Sequence, residues 1–501
     1  MDERMNEALD QISDRHIAAA AAYRRRRPYW LGAVAAILAI VLCIGAFRGS
    51  SPITDPVDLP TLQGTEPQKI PVPGQPQSPD TLTLSDLVAA PSYPKMVPCP
   101  NVEDYEGREG YYTALAQWEA GQQEQYDQPS GYADSLTDFF RRSIPEFLSG
   151  DGNRAYSPIN VYMALAMLAE VTDGNSRQQI LDLLGVGTIE ALRTQVGHVW
   201  NAHYCDDGQT TTLLANSLWL DSAYTFDPDT TLTLAHQYYT SVFQGDLGTE
   251  ELDQQLRAWL DSQTGGLLQE HSSQLELPDE SVFALASTIY FATGWESEFS
   301  QDDTAEGIFH CGDHDLRTPF MNKTITFGTY YRGEGFGAVG LDLQNRNTMW
   351  LILPDEGISV EEVLDSAEYL ELIQSPGSWP DKRTLKVHLS LPKFDIDSSI
   401  DLCDGMKALG VTDVFDPAVS DFSPMVSDSE EIYVGQIKHA VRVAADEEGV
   451  VAAAYTVMMM AATGAPVPPT DEIHFTLDRP FLFTITSQDH LPLFAGVVTQ
   501  P

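Results

Sequence analysis

The chain has 501 residues, 43% hydrophobic and 10% aromatic, which is enough apolar material for a large core. Its formal net charge of −45 argues against nucleic-acid binding, which needs clustered Lys and Arg, and disfavours a heparin-like polyanion as activator. The five cysteines, Cys43, Cys99, Cys205, Cys311 and Cys403, contain no C-x-x-C pair, so zinc-ribbon and thioredoxin chemistry lack support and buried free thiols are expected.

Arg24, Arg25, Arg26 and Arg27 precede an uncharged apolar run, 29–47, that Arg48 closes. Its length is near the lower end for a spanning helix, and Tyr29 and Trp30 lie where an interfacial aromatic belt belongs. The expectation is an uncleaved single-pass transmembrane helix with residues 1–28 in the cytoplasm and the rest extracellular, a cell-membrane location. A cleaved signal peptide is the rival; the long charged region before the run and the lack of a small-x-small site after it weigh against it. Residues 48–80 are rich in Pro, Ser, Thr and Gln and read as a stalk, too polar to bury a core. Residues 81–130 read as an extension packing on the main domain, with a helical stretch around Trp118.

A large domain spans 131–501. Leu136, Phe139, Phe140 and Ile144 have helical spacing, Ser157-Pro158 is a turn-and-cap signal before a buried helix at 161–168, and Gly185 stops another helix at 178–184. Helical patterns follow near 230–243, 252–263 and 400–409. Strand patterns fall at 213–220, 282–291, 348–353, 384–394, 475–477, 481–485 and 493–498. Helices early and strands late, without regular alternation, predict an α+β fold with large, mostly antiparallel sheets.

One segment departs from the acidic background. After Asp446-Glu447-Glu448-Gly449 the chain carries no charge through Thr470, and it ends in Pro466, Pro468 and Pro469. Gly449 is a hinge candidate. The small and branched residues after it suit a strand, whereas the Pro-rich end cannot join a central one. No G-x-S-x-G, H-E-x-x-H or Gly-rich phosphate loop occurs, so no enzyme, cofactor or metal is expected.

From about Tyr132 to Pro501 the residues resemble the serpin family, in the family's order. The matching stretches are Ser157-Pro158 with Ala164–Leu168, Gly174-Asn175-Ser176, and Ala215–Trp219. Trp259 with Thr264-Gly265-Gly266 follows, then Ile289-Tyr290-Phe291 with Trp295, and the run 349–354. The rest are Leu391-Pro392-Lys393-Phe394, Leu409–Phe415, Asp421-Phe422-Ser423, Arg479–Phe483 and Leu493–Gly496. Some positions depart from the family's pattern: Arg257 and Ser287 stand where it has Asn, Ala292-Thr293 where it has Lys-Gly, and Ala440 replaces the Lys after His439.

The resemblance implies a serpin fold with a large central sheet, about eight to nine helices and an exposed reactive loop, here behind a bacterial-type membrane anchor. It implies a suicide inhibitor. The protease forms an acyl-enzyme with the loop, and the loop then enters the main sheet as a strand and distorts the enzyme. Glu447, Glu448, Gly449 and Val450 form the hinge, and Val450, Ala452, Ala454 and Thr456 the inward row. Ser157 and His439 belong to the region that holds the sheet shut. Family spacing places the cleaved bond at Thr463-Gly464, with Met460, Ala461 and Ala462 as alternatives. None is Arg or Lys, so an elastase-like or subtilisin-like serine protease is the expected partner, with a cysteine protease as a further possibility. The alternative is a non-inhibitory surface protein of the same fold, a carrier, chaperone or adhesin.

Overall fold

The computed structural model describes the backbone of residues 34–46, and residues 87–501 apart from 95, 102–103, 106–107, 209, 265–274, 279–280, 313, 367, 427–431, 448 and 450–468. Its strands are β1 (Val34–Ala46), β2 (Leu87–Ala89), β3 (Arg154–Tyr156), β4 (Cys205–Asp206), β5 (Thr211–Asp221), β6 (Thr240–Gly245), β7 (Ser281–Thr293), β8 (Ala305–His310) and β9 (Asp315–Gly333). They continue with β10 (Phe336–Asp342), β11 (Thr348–Pro354), β12 (Lys382–Pro392), β13 (Phe394–Asp401), β14 (Ile432–Ala445), β15 (Glu472–Thr476), β16 (Phe481–Thr486) and β17 (Pro492–Val498).

These strands form two sheets. One runs β13-β14-β1-β7-β5-β6-β2, with β4 beside β5; the other runs β15-β12-β9-β10-β11-β16-β17-β3, with β8 beside β9. Every pairing is antiparallel except β5 with β6 and β12 with β15. Ten α-helices lie among the described residues, the short Val360–Ser366 and Glu368–Gln374 included. The α+β expectation holds.

The core explains why the apolar runs read as they do. All thirteen residues of β7 are buried, as a strand covered on both faces requires. The helix Pro158–Glu170 is also buried all round, and it packs between β7 and β17. A helix this uniformly apolar belongs inside a protein. Its one acid, Glu170, accepts hydrogen bonds from Arg193 Nε (2.9 Å) and Nη2 (2.5 Å) and from the Tyr238 hydroxyl (2.9 Å), as a buried charge must.

The extension touches the domain at several points. β2 pairs with β6, Tyr93 stacks on Trp200, Tyr204 and Tyr239, and the helix Arg108–Tyr126 reaches Asp207 through Gln122 Nε2 (3.0 Å).

Three sequence expectations need correction. Within the run at 29–47, the described part, Val34–Ala46, is a strand where a helix was expected, and among the described residues no helix is long and apolar enough to cross a membrane. A continuous apolar run fits a doubly covered central strand as well as a lipid-facing helix, and periodicity cannot separate the two. Val34, Ile37, Ile40, Val41 and Ile44 add β-branched character. The helix expected at 230–243 ends at Gln237, and Tyr239, at φ 51°, turns the chain into β6. The strand expected at 384–394 is two strands broken at Lys393. The long β9 and β14 were not anticipated.

Candidate functional site

The site is the junction of β7 and β14, where β14 leads into the charge-free segment. β14 ends at Ala445, and beyond it the chain is tethered at Asp446, Glu447 and Gly449. The carbonyl of Asp446 accepts from Trp295 Nε1 at 2.8 Å, and that of Glu447 from the Phe299 amide at 2.9 Å. Gly449 bridges to Gly294. Its φ is +67°, and a Cβ there would stand 2.3 Å from the Trp295 amide nitrogen. Both facts require glycine.

Glu447 is 4% exposed, and its carboxylate meets Lys393 Nζ at 2.5 Å and the Thr304 hydroxyl at 2.7 Å. Burial alone would raise its pKa, but the bonds from Lys393 and Thr304 outweigh it and hold the carboxyl below its ordinary value. Lys393 sits in the break between β12 and β13, so the Leu-Pro-Lys-Phe motif fastens the segment's root.

Midway along β14 the structure brings Ser157 and His439 together. The Ser157 amide donates to His439 Nε2 at 3.3 Å, and the Ser157 hydroxyl donates to the Leu493 carbonyl at 2.6 Å. His439 is fully buried against the Tyr156 ring, and burial pushes its pKa from 6.5 to about 3, leaving a neutral imidazole. Beside them Ser287 Oγ donates to Asn160 Oδ1 at 2.7 Å, and Asn160 Nδ2 to the Ser287 carbonyl at 3.3 Å. Sequence reading marked Ser287 as a lost asparagine and missed Asn160. The amide is present, carried by the helix instead of the strand. The signal available was an Asn inside an otherwise apolar helix, a position that demands a buried partner.

Arg257, the other departure, donates from Nε to the Leu275 carbonyl at 2.9 Å and from Nη1 to Glu250 at 3.2 Å. It thereby ties the helix Glu250–Gln263 to the chain entering β7. Thr293 hydrogen-bonds Thr210 through the hydroxyls at 2.8 Å.

Between β7 and β14 lies β1, antiparallel to both. Ile40 is opposite Ser287 on one side and His439 on the other, and the pairings extend from Ala35↔Ala444 to Ala46↔Ile432 and from Val34↔Thr293 to Gly45↔Ser281. Both inner strands are thus saturated by the chain's own N-terminal run.

Of the expected site residues, Ser157, His439, Glu447 and Gly449 are placed as described. Glu448, Val450, Ala452, Ala454, Thr456, Met460, Ala461, Ala462, Thr463 and Gly464 lie outside the described residues. The chain is picked up again at Pro469 and enters β15 at Glu472. The four cysteines with described side chains, Cys99, Cys205, Cys311 and Cys403, are not joined to one another by disulfides, and burial raises Cys99 and Cys403 to about 12.

Comparison with known proteins bears on the same region. The family model "Serpin (serine protease inhibitor)" matches residues 135–501. Leukocyte elastase inhibitor A of Mus musculus is 28% identical over 367 residues, covering 70% of this chain and 94% of that protein. Serpin-ZX of Arabidopsis thaliana is 27% identical over 374 residues, with 71% and 93% coverage. Among solved structures, the thermophilic serpin Tengpin in its native state matches with a TM-score of 0.64 and 25% identity, covering 75% of this chain and 95% of that one.

Proposed function

Because the chain belongs to the serpin family, we propose that it is a suicide inhibitor of an elastase-like or subtilisin-like serine protease. The family is one of serine protease inhibitors and the chain is not an enzyme. The observation that carries the mechanism is Gly449. A glycine-only joint sits four residues beyond the end of β14, held by backbone contacts to Gly294 and Trp295, and the charge-free stretch begins directly beyond it. On this reading a segment hinged there folds back alongside β14 as a new strand. Each backbone hydrogen bond it makes contributes roughly 0.5–1.5 kcal/mol net. The uncharged Val450, Ala452, Ala454 and Thr456 enter a covered position at little cost.

β1 holds the place such a strand would take, so trapping requires β1 to leave. The run 29–47 has one other environment that suits it, a bilayer, in which it spans as a helix flanked by Arg24–Arg27 and Arg48. One segment cannot be both strand and anchor. A membrane-anchored chain, with the domain outside the cell, therefore has an open slot. The filled slot favours a second reading, a non-inhibitory member of the fold.

The test is a gel. Incubated with an elastase-like protease, the protein freed of residues 1–50 is expected to form an SDS-resistant covalent adduct, and Val450→Arg to convert it into a plain substrate. No adduct across a panel of serine and cysteine proteases leaves the non-inhibitory reading standing.

A further inference from the structure

At the far end of the charge-free segment, β15 carries a cluster that the inhibitor reading does not use. β12 and β15 pair in parallel, with Lys386 opposite Glu472 and His388 opposite His474. Side chains alternate faces along a strand, so Glu472, His474 and His388 share one face. Each offers a ligand atom, and the three atoms lie within 4.8 Å of one another. The two imidazoles stack with centroids 4.7 Å apart, and His388 Nε2 is 3.4 Å from Glu472 Oε2.

The Thr324 hydroxyl lies 3.2 Å from His388 Nδ1. It occupies one ring nitrogen and leaves the other facing Glu472, which is how an outer partner orients a ligating imidazole. Two imidazoles and a carboxylate suit a borderline divalent cation and leave a coordination position for water. The competitor is Lys386, whose Nζ is 3.5 Å from Glu472 Oε2. It is a half-exposed side chain on a flexible stem, free to swing toward solvent.

We propose that His388, Glu472 and His474 bind a zinc-like divalent cation that staples β15 to β12. β15 is a strand of five residues at the edge of its sheet, and among the described residues β12 is its one strand partner. The chain from Gly449 to Glu472 is continuous, so full entry of the uncut segment into the sheet requires β15 to peel away. On the loop-insertion reading above, the bound cation raises the barrier to that peeling and leaves insertion after cleavage untouched.

The experiment titrates the full chain with zinc chloride against a chromophoric chelator. The parent is expected to bind one zinc equivalent that His388→Ala and His474→Ala lose or bind about tenfold more weakly. Zinc should raise the thermal midpoint of the parent and not of the variants, and Glu472→His should tighten binding. Matching zinc-free midpoints and circular dichroism establish that the variants are folded. A parent that binds no zinc, or variants that keep its stoichiometry and affinity, overturn the site. Adduct formation with protease is followed in EDTA, so failure of the inhibitor reading registers separately.

Discussion

The two ends of the charge-free segment are held in opposite ways. At its root, Glu447 is buried with two side-chain partners, the carbonyls of Asp446 and Glu447 are bonded to Trp295 and Phe299, and Gly449 is pressed against backbone. At its exit, Phe475 alone of the five residues of β15 is buried, and among the described residues the strand rests on one neighbour at a sheet edge. Opening free energies follow such differences in burial and backbone bonding. The root fixes the register in which the segment adds to β14, whereas the exit is the part able to give way. Cutting between them removes the need for the exit to move.

The comparison matters only if the slot beside β14 is accessible, so the largest effect is expected from removing its occupant. Deleting residues 1–50 is expected to raise the rate of covalent trapping by about tenfold or more, since every 1.4 kcal/mol of displaced pairing is a factor of ten. The full chain in phospholipid vesicles should match the truncated form, while the full chain in buffer lags. Equal rates for all three preparations would show that β1 does not guard the sheet.

The rigid root is tested next. Gly449→Val puts a β-branched residue at φ +67° and a Cβ within 2.3 Å of the Trp295 nitrogen, an overlap with backbone that no rotamer relieves. The expected loss is about 3 kcal/mol, read as a lower urea midpoint together with slower trapping. A variant as stable and as fast as the parent would mean that the root is not the hinge.

How much of this was legible in the chain divides along the same line. Gly449 and the charge-free run stood out because both break local rules, one of conformation and one of composition. The buried helix at Pro158 and strand β7 were readable because a continuous apolar run has few places to go. The fate of 29–47 was not, since lipid and a doubly covered sheet select the same residues and only the competing partner decides between them. Lys393, Thr304 and Asn160 were illegible as a site for another reason. Their partners Glu447 and Ser287 are distant in sequence, joined by strands whose pairing no local pattern announces. His388 and Glu472 meet in the same way, although the Glu-x-His spacing at 472–474 already puts two ligands on one face.

His439 gives a smaller effect with a pH signature. Burial takes its pKa from 6.5 to about 3. Between those values the unfolded chain accepts a proton that the native form refuses, so stability falls as the pH drops through that window. At pH 5 the loss relative to neutral is about 2 kcal/mol. The buried His203, whose pKa is likewise lowered by burial, adds to the slope. His439→Phe should reduce the proton uptake on unfolding at pH 5 by about one, measured as a flatter dependence of midpoint on pH. An unchanged slope would place the acid sensitivity elsewhere.

The smallest effect isolates the pairing at the root. Lys393 is one-third exposed, so its bond to Glu447 is partly screened, and Lys393→Ala is expected to cost about 1–2 kcal/mol. Most of that is the penalty of leaving Glu447 buried with Thr304 as its remaining side-chain partner, so Glu447→Gln in the same background should recover part of it. The pH dependence carries the sign. The carboxyl of Glu447 is held below its ordinary 4.5, so its contribution is complete above that value and is lost as the pH falls through the lowered one. The parent and Lys393→Ala should therefore differ at neutral pH and converge in acid. A gap that persisted in acid would mean that Lys393 acts through packing of its stem against the β12–β13 break and not through its charge, and the asymmetry between root and exit would then be one of shape alone.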